Sequence, residues 1–400
     1  MRLRQLVTAG LVDSFGLSLG WTLFNLLAVE RGGLEAAALF NAAMLIGIVL
    51  SAPVTTGLAR RLSGRRLLTG AASIEAVLRI LTLGGLLAGW AAPIVAAGVV
   101  GMYVCAFAGF AAMRAEVAAI DARPRASAGR SAPSCASAGS GSAGAMTRYA
   151  MSILAVEAIG AGLVALLPIQ TSIIIIVYGA SLLPTIVCAR KARVTSSAAS
   201  RSRLPVPLGV LAGGATIGLL AYGPTLLNVA LATELHGQNA VAYAAVSFSA
   251  GCLLSSMAVE AVARLRLPAT LAWPMWGIVM LFGWIAAPWH VAGLCLAQFM
   301  SGVGLTAFEG GMDARVAGES GEGTVTTALA WTAAIRATGS AVAVRVLPLL
   351  VTAPAIGAVA SAGSSLLAIG AVTATILVGA LAPGGRHRLA KAASVRVMTH

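Results

Sequence analysis

Twelve long apolar stretches joined by short polar connections constrain this 400-residue chain more than any other feature. A helix that crosses about 30 Å of hydrocarbon needs roughly 20 apolar residues. Stretches of that kind fall near residues 6–29, 35–58, 67–89, 92–113, 148–168, 171–189, 206–230, 240–263, 267–287, 289–312, 323–351 and 354–383. Lipid offers the backbone no hydrogen-bond partners, so segments this long span as helices. The expected fold class is an all-α membrane protein of 12 transmembrane helices. Composition fits: 58% of residues are hydrophobic and 10% are charged, against about 25% charged in soluble chains. Mean hydropathy is +0.91. The first run follows Arg2 and Arg4, as a signal peptide would, but it outlasts the roughly 7–15 residues of a signal core. It reads as a retained span.

The formal net charge of +14 would point to nucleic acid in a soluble protein. Between membrane spans, the placement of the charge matters instead. All but four of the 27 Lys and Arg lie at the N-terminus, in connections after even-numbered spans, or in the C-terminal tail. Arg31 sits at an opposite tip, and Arg79, Arg336 and Arg345 lie inside spans. Lys and Arg accumulate on the cytoplasmic side, so both termini are expected in the cytoplasm. The expectation is a monomer in the cytoplasmic (plasma) membrane, in contact with membrane lipids and with no nucleic-acid partner.

Residues 190–205 form a basic linker between two six-span halves, 1–189 and 206–383, and a basic tail follows at 384–400. A second connection, Arg114 to Arg148, has a Ser/Gly/Ala-rich centre and reads as flexible. The halves repeat one another. A single offset aligns Gly20, Thr22, Leu23 and Asn25 with Gly223, Thr225, Leu226 and Asn228. Two parallel halves with a binding site at the midplane is an arrangement that transporters use.

Nothing points to an enzyme. The sequence has no HExxH, no GxSxG and no phosphate-binding loop. Its five cysteines form no CxxC pair, and no His cluster has metal spacing. No metal and no cofactor is expected.

Charge at the bilayer centre costs about 2.5–3.5 kcal/mol, which makes ionisable residues inside spans candidates for function. Glu157 lies midway along the fifth span, Asp13 in the cytoplasmic third of the first, and Glu309 near the end of the tenth. A carboxyl whose surroundings change can take up and release a proton, so these three are the proton-coupling candidates. Glu75 and Arg79, four residues apart on the third span, form a self-neutralising pair. Arg336 lies near the middle of the eleventh span, five residues after Trp331. Its planar guanidinium suits an anionic group or a buried carboxylate.

The turn after the second span reads Gly57-Leu-Ala-Arg-Arg-Leu-Ser-Gly-Arg-Arg66. Together with twelve spans in two halves and cytoplasmic termini, it resembles the major facilitator superfamily, whose signature there is G-x-x-x-D-R-x-G-R-R. Gly57, Gly64, Arg65 and Arg66 match, while Arg61 and Leu62 replace the Asp and the first Arg. The resemblance implies a secondary active transporter working by alternating access, with its cavity lined by spans 1, 4, 7 and 10. Asn25, Tyr103, Tyr222, Asn228 and Gln298 on those spans are then substrate-cavity candidates, joined by Trp331 and Arg336.

In the family, the acid of that turn helps to close the cytoplasmic gate. Here Arg61 reverses its charge. The expectation is a charge-swapped contact between Arg61, Arg65 or Arg66 and the acids Asp313, Glu319 and Glu322 of the connection after the tenth span. The fourth span lacks the Arg, and the fifth the Gly-Pro motif, of the family's drug–proton antiporters; the fifth offers only Gly160-Ala-Gly162. The function expected is proton-coupled efflux of a small organic molecule, a drug or metabolite. Proton-symport uptake and a non-transporting or lipid-handling role are the alternatives.

Overall fold

The computed structural model describes residues 3–59, 61–127, 138–166, 170–190, 208–264, 269–320 and 324–350. All regular structure among them is helical. Helix α1 (Leu3–Ala59) carries the first two spans. Its 57 residues at about 1.5 Å each would overshoot one bilayer crossing more than twofold, so the chain must reverse within it. It does so at Gly32 and Gly33, where helical geometry is lost and Gly33 takes a φ of 60°. That left-handed conformation suits a residue without Cβ.

Helix α2 (Gly64–Leu87) is the third span, capped by Ser63, whose Oγ accepts the Arg66 N–H at 3.4 Å. Helices α3 (Ala92–Ser127) and α4 (Ala138–Leu166) are the fourth and fifth. They correct the expected flexible linker. The helices run well into it from both sides, because it is rich in alanine, the best helix former, and only 128–137 fall outside the described residues.

The sixth span comprises α5 (Thr171–Ala180) and α6 (Leu183–Ala189), joined by a turn at Ser181 and Leu182 whose backbone stays near helical, so that Thr171–Ala189 runs as one apolar span. The seventh is broken into α7 (Leu208–Leu226) and α8 (Asn228–His236), bent by 43°. Pro224, lacking an N–H, sits just before that bend and explains it. Helix α9 (Gln238–Arg264) follows across Gly237, then α10 (Ala269–Phe282) with a short 3₁₀ turn, α11 (Val291–Glu319) and α12 (Val325–Leu350). Span 354–383, nearly all of the 190–205 linker and the 384–400 tail lie outside the described residues.

Six of the described helices are long and apolar enough to cross a membrane, α1 by a wide margin. Their outward faces carry exposed Ile74, Val77, Ile176, Val246 and Met257, the residues a lipid-facing surface needs. Helix α1 packs against α12, α3 and α4, while α4 also packs against α9 and α11.

Small residues let the helices approach closely, the usual basis of packing in lipid. A Cβ on Gly251 of α9 would meet the Phe299 carbonyl oxygen of α11, and one on Gly302 of α11 would meet the Phe248 carbonyl oxygen of α9. The two backbones are in reciprocal contact. Gly251→Val or Gly302→Val should each cost about 1–3 kcal/mol by overpacking, seen as a lowered melting temperature of the purified protein. Val at Gly57, where an added Cβ meets nothing, should leave it unchanged.

Candidate functional site

A cavity of about 330 Å³ lies among α1, α3, α4, α7, α8, α9, α11 and α12, within the range of small-molecule sites. One wall is aromatic. Tyr103, Phe107 and Phe110 recur along one face of α3, with ring centroids 6.3 and 5.6 Å apart in sequence, and Trp21 of α1 meets Tyr103 edge-on at 5.2 Å.

Among the described residues, three charged ones line the cavity: Glu157 of α4, Glu309 of α11 and Arg336 of α12. The Arg336 side chain is 4% exposed. Its Nη1 donates to Asp313 Oδ1 at 3.0 Å, and its Nε lies 3.6 Å from Glu309 Oε1. Tyr222 donates its hydroxyl to Glu309 Oε1 at 3.3 Å. Glu309 and Asp313 are one helical turn apart, so both reach the same guanidinium. Buried charge persists only when paired, and this cluster holds two acids around one base. Beside it, Ser18 of α1 donates to the Glu157 backbone carbonyl, stitching α1 to α4.

Amides complete the lining. Asn41 donates to Asn25 Oδ1 at 2.8 Å, and Asn25 donates to the Trp21 carbonyl at 2.9 Å. Asn228, aligned with Asn25 in the internal repeat, also faces the cavity, because the break between α7 and α8 places it there. Among the described residues its Oδ1 is buried without a hydrogen-bond partner, and so are both polar atoms of Gln298, a fully buried residue. Unpartnered buried polar groups cost about 1–3 kcal/mol each.

Of the cavity candidates read from the sequence, Asn25, Tyr103, Tyr222, Asn228, Gln298 and Arg336 line it, as do Glu157 and Glu309. Trp331 does not. It stands about 140° around α12 from Arg336 and packs on the small residues Ala52, Ala111, Ala330 and Ala334. Asn41 is a lining residue the sequence reading missed. Its signal was available: Asn41, Met44, Leu45 and Ile48 share one face at helical spacing, and all four line the cavity.

Asp13 is buried outside the cavity, in a second cluster. Arg79, 0% exposed, donates to Asp13 Oδ1 at 2.7 Å, to Glu75 Oε1, and to Ser181 Oγ at 3.0 Å. It also reaches the Tyr178 carbonyl at 3.3 Å, beside the turn between α5 and α6. The expected Glu75–Arg79 pair is thus a three-helix cluster.

The gate candidates need correction at Asp313. Helix α11 continues to Glu319, so Asp313 lies inside it rather than in a turn, 2% exposed and paired with Arg336, whereas the turn's Arg61, Arg65 and Arg66 are exposed. The Glu319 side chain and Glu322 lie outside the described residues. Arg61, Arg65 and Arg66 are exposed, Gly57 is exposed and Gly64 buried. Arg65 and Arg66 border a recess with Arg190, which ends the sixth span, rather than an acid of the other half. At the opposite end of the bundle, Glu234 Oε1 of α8 accepts the Leu34 N–H of α1 at 2.9 Å.

No protein-family model matches the sequence, and no curated protein matches it in a sequence search. The fold is matched by solved structures. The human organic anion transporter MFSD10 (TETRAN) superposes with a TM-score of 0.63 at 15% identity, covering 93% of this chain and 100% of its own. A bacterial homologue of the iron transporter ferroportin, outward-facing with soaked iron, gives 0.63 at 17% identity over 94% of this chain and 99% of its own. The nucleoside transporter NupG gives 0.58 at 12% identity over 94% of this chain and 99% of its own. The chain has the major facilitator fold.

Removing Arg79 would strand two buried carboxylates. Arg79→Leu should cost about 3–5 kcal/mol, read as loss of thermal stability in detergent. Adding Glu75→Gln and Asp13→Asn to it should restore part of the loss.

Proposed function

We propose that this protein is a secondary active transporter that exports a small organic molecule in exchange for protons by alternating access. The observation that carries the proposal is that two carboxylates from different parts of the chain, Glu157 and Glu309, line one aromatic-walled cavity. A carboxylate that binds substrate in one state and a proton in another couples the two fluxes, because both compete for the same charge. Glu309 has the neighbours for this: Arg336 Nε lies 3.6 Å away, and the Tyr222 hydroxyl donates to it at 3.3 Å. The membrane potential adds about 2.3 kcal/mol per charge per 100 mV, enough to drive transport without a nucleotide.

The neighbours by fold are described as transporters of organic anions, iron and nucleosides, which supports transport and leaves the substrate to the cavity. The arginine distribution supports cytoplasmic termini in the plasma membrane. The bond between Leu34 and Glu234 supports a closed end opposite the arginine turn. Glu157 and Glu309, not Asp13, are the coupling residues in this reading, because Asp13 is locked to Arg79.

Proteoliposomes holding the protein, bathed in a cell extract and read by mass spectrometry, test the proposal. An inwardly acidic proton gradient should accumulate at least one small organic compound, and an ionophore should abolish this. Glu157→Gln should lose the gradient dependence while keeping substrate exchange. Accumulation that ignores the gradient in the wild type would refute proton coupling.

A further inference from the structure

We infer that the recess at the arginine end of the bundle, lined by Arg65, Arg66 and Arg190, binds the phosphate group of an anionic membrane lipid. The site is separate from the cavity and does not depend on transport.

Helix α2 begins with the charges least suited to a helix start. The first N–H groups of a helix have no intrahelical acceptor, and that end is electropositive, so acids are favoured there. The first turn of α2 has none and carries Arg65 and Arg66 instead. Arg190, at the end of α6, completes the recess with Ser63 and Thr69. All three arginines are exposed, and among the described residues none of them has an ion pair. Position 61, ahead of them in the turn, is a further exposed arginine rather than an acid. Three guanidinium groups and a helix N-terminus therefore border one recess without a side-chain counter-charge. Their mutual repulsion is relieved when an anion enters.

A phosphate suits this set. Its oxygens accept charge-assisted hydrogen bonds from several guanidinium groups at once, and helix N-termini bind such anions. The two hydroxyls differ in what they can offer. Thr69 donates its own to the Arg65 carbonyl at 2.9 Å. Ser63 Oγ accepts the Arg66 N–H at 3.4 Å, which leaves its O–H to donate. The recess holds about 470 Å³, room for a headgroup and not only for an ion.

The surroundings select a lipid as the source of the phosphate. Helix α2 packs on α6. Val187 and Leu183 stand one and two turns before Arg190 along one face of α6, and Val77 stands three turns after Arg66 on α2. All three are exposed. The basic recess thus continues into apolar strips on both helices, which match an amphiphile with an anionic head and acyl chains.

Native mass spectrometry of the purified full-length protein, in detergent micelles doped with phosphatidylglycerol or phosphatidylcholine, tests the site. The wild type should retain phosphatidylglycerol at about tenfold lower mole fraction than phosphatidylcholine. Arg65→Gln with Arg66→Gln should erase that preference, and Arg190→Gln alone, on the other wall, should weaken it. Arg61→Gln with Arg264→Gln removes the same charge outside the recess and should keep the preference. An excess of inorganic phosphate should not displace the lipid. Equal retention of the two lipids by the wild type, or an equal loss in the two double variants, would overturn the inference. Displacement by inorganic phosphate would assign the recess to the free ion and overturn the lipid.

Discussion

The structure depends on how it keeps charge inside an apolar bundle. Arg336 is always ionised and almost fully buried, and it is tolerable only because Asp313 and Glu309 stand one helical turn apart on α11 to receive it. That requirement fixes the rotation of α11 against α12, and with it which residues of both helices face the cavity. Arg79 poses the same problem in the first half and is solved with the same count, two acids to one base. The difference between the clusters lies in their walls. Arg79 is enclosed by Asp13, Glu75, Ser181 and the Tyr178 carbonyl, away from the cavity, and holds three helices together. Arg336 stands on the cavity wall, and Glu309 beside it is 17% exposed and lines the same cavity.

Interrupted helices supply what intact ones cannot. At the turn between α5 and α6 the Tyr178 carbonyl accepts from both Arg79 and the Ser181 hydroxyl. The break between α7 and α8, at Pro224, brings Thr225 and Asn228 to the cavity. Irregular backbone at membrane depth is tolerated where it is buried in protein or lines a cavity, and the break between α7 and α8 obeys that rule. Elsewhere close approach is carried by small residues, as in the reciprocal contact of α9 and α11 at Gly251 and Gly302.

The spans were legible because hydropathy over some twenty residues has few competing explanations. Their ends were not. Helix α11 outlasts its apolar run, and the charged residues beyond that run are helical all the same, which is why Asp313 read as part of a turn. The alanine-rich stretches beside 128–137 read as linker for a related reason: composition reports solvation, not backbone geometry. Lining residues on the first, fourth, seventh and tenth spans were accessible through the family resemblance. Trp331 read as a lining residue and is not one, because five residues along α12 from Arg336 turn it to another face. Asp13 joined Arg79 across three helices, a pairing that no spacing within one span encodes. The arginine turn kept its glycines and its exposure, but Arg65 and Arg66 border a recess with Arg190 instead of meeting Asp313.

The central claim is that one cavity opens in turn to either end of the bundle. Pulsed electron-spin distance measurements test it most directly, on a background with the native cysteines replaced by serine. One label pair, at Glu35 and Gln238, reports the end closed by Leu34 and Glu234; another, at Arg65 and Arg264, reports the arginine end. Between acidic and alkaline buffer the account predicts reciprocal change, one pair widening as the other narrows, and loss of that response in Glu309→Gln. Distances that stay fixed at both ends, or that widen together, would contradict it.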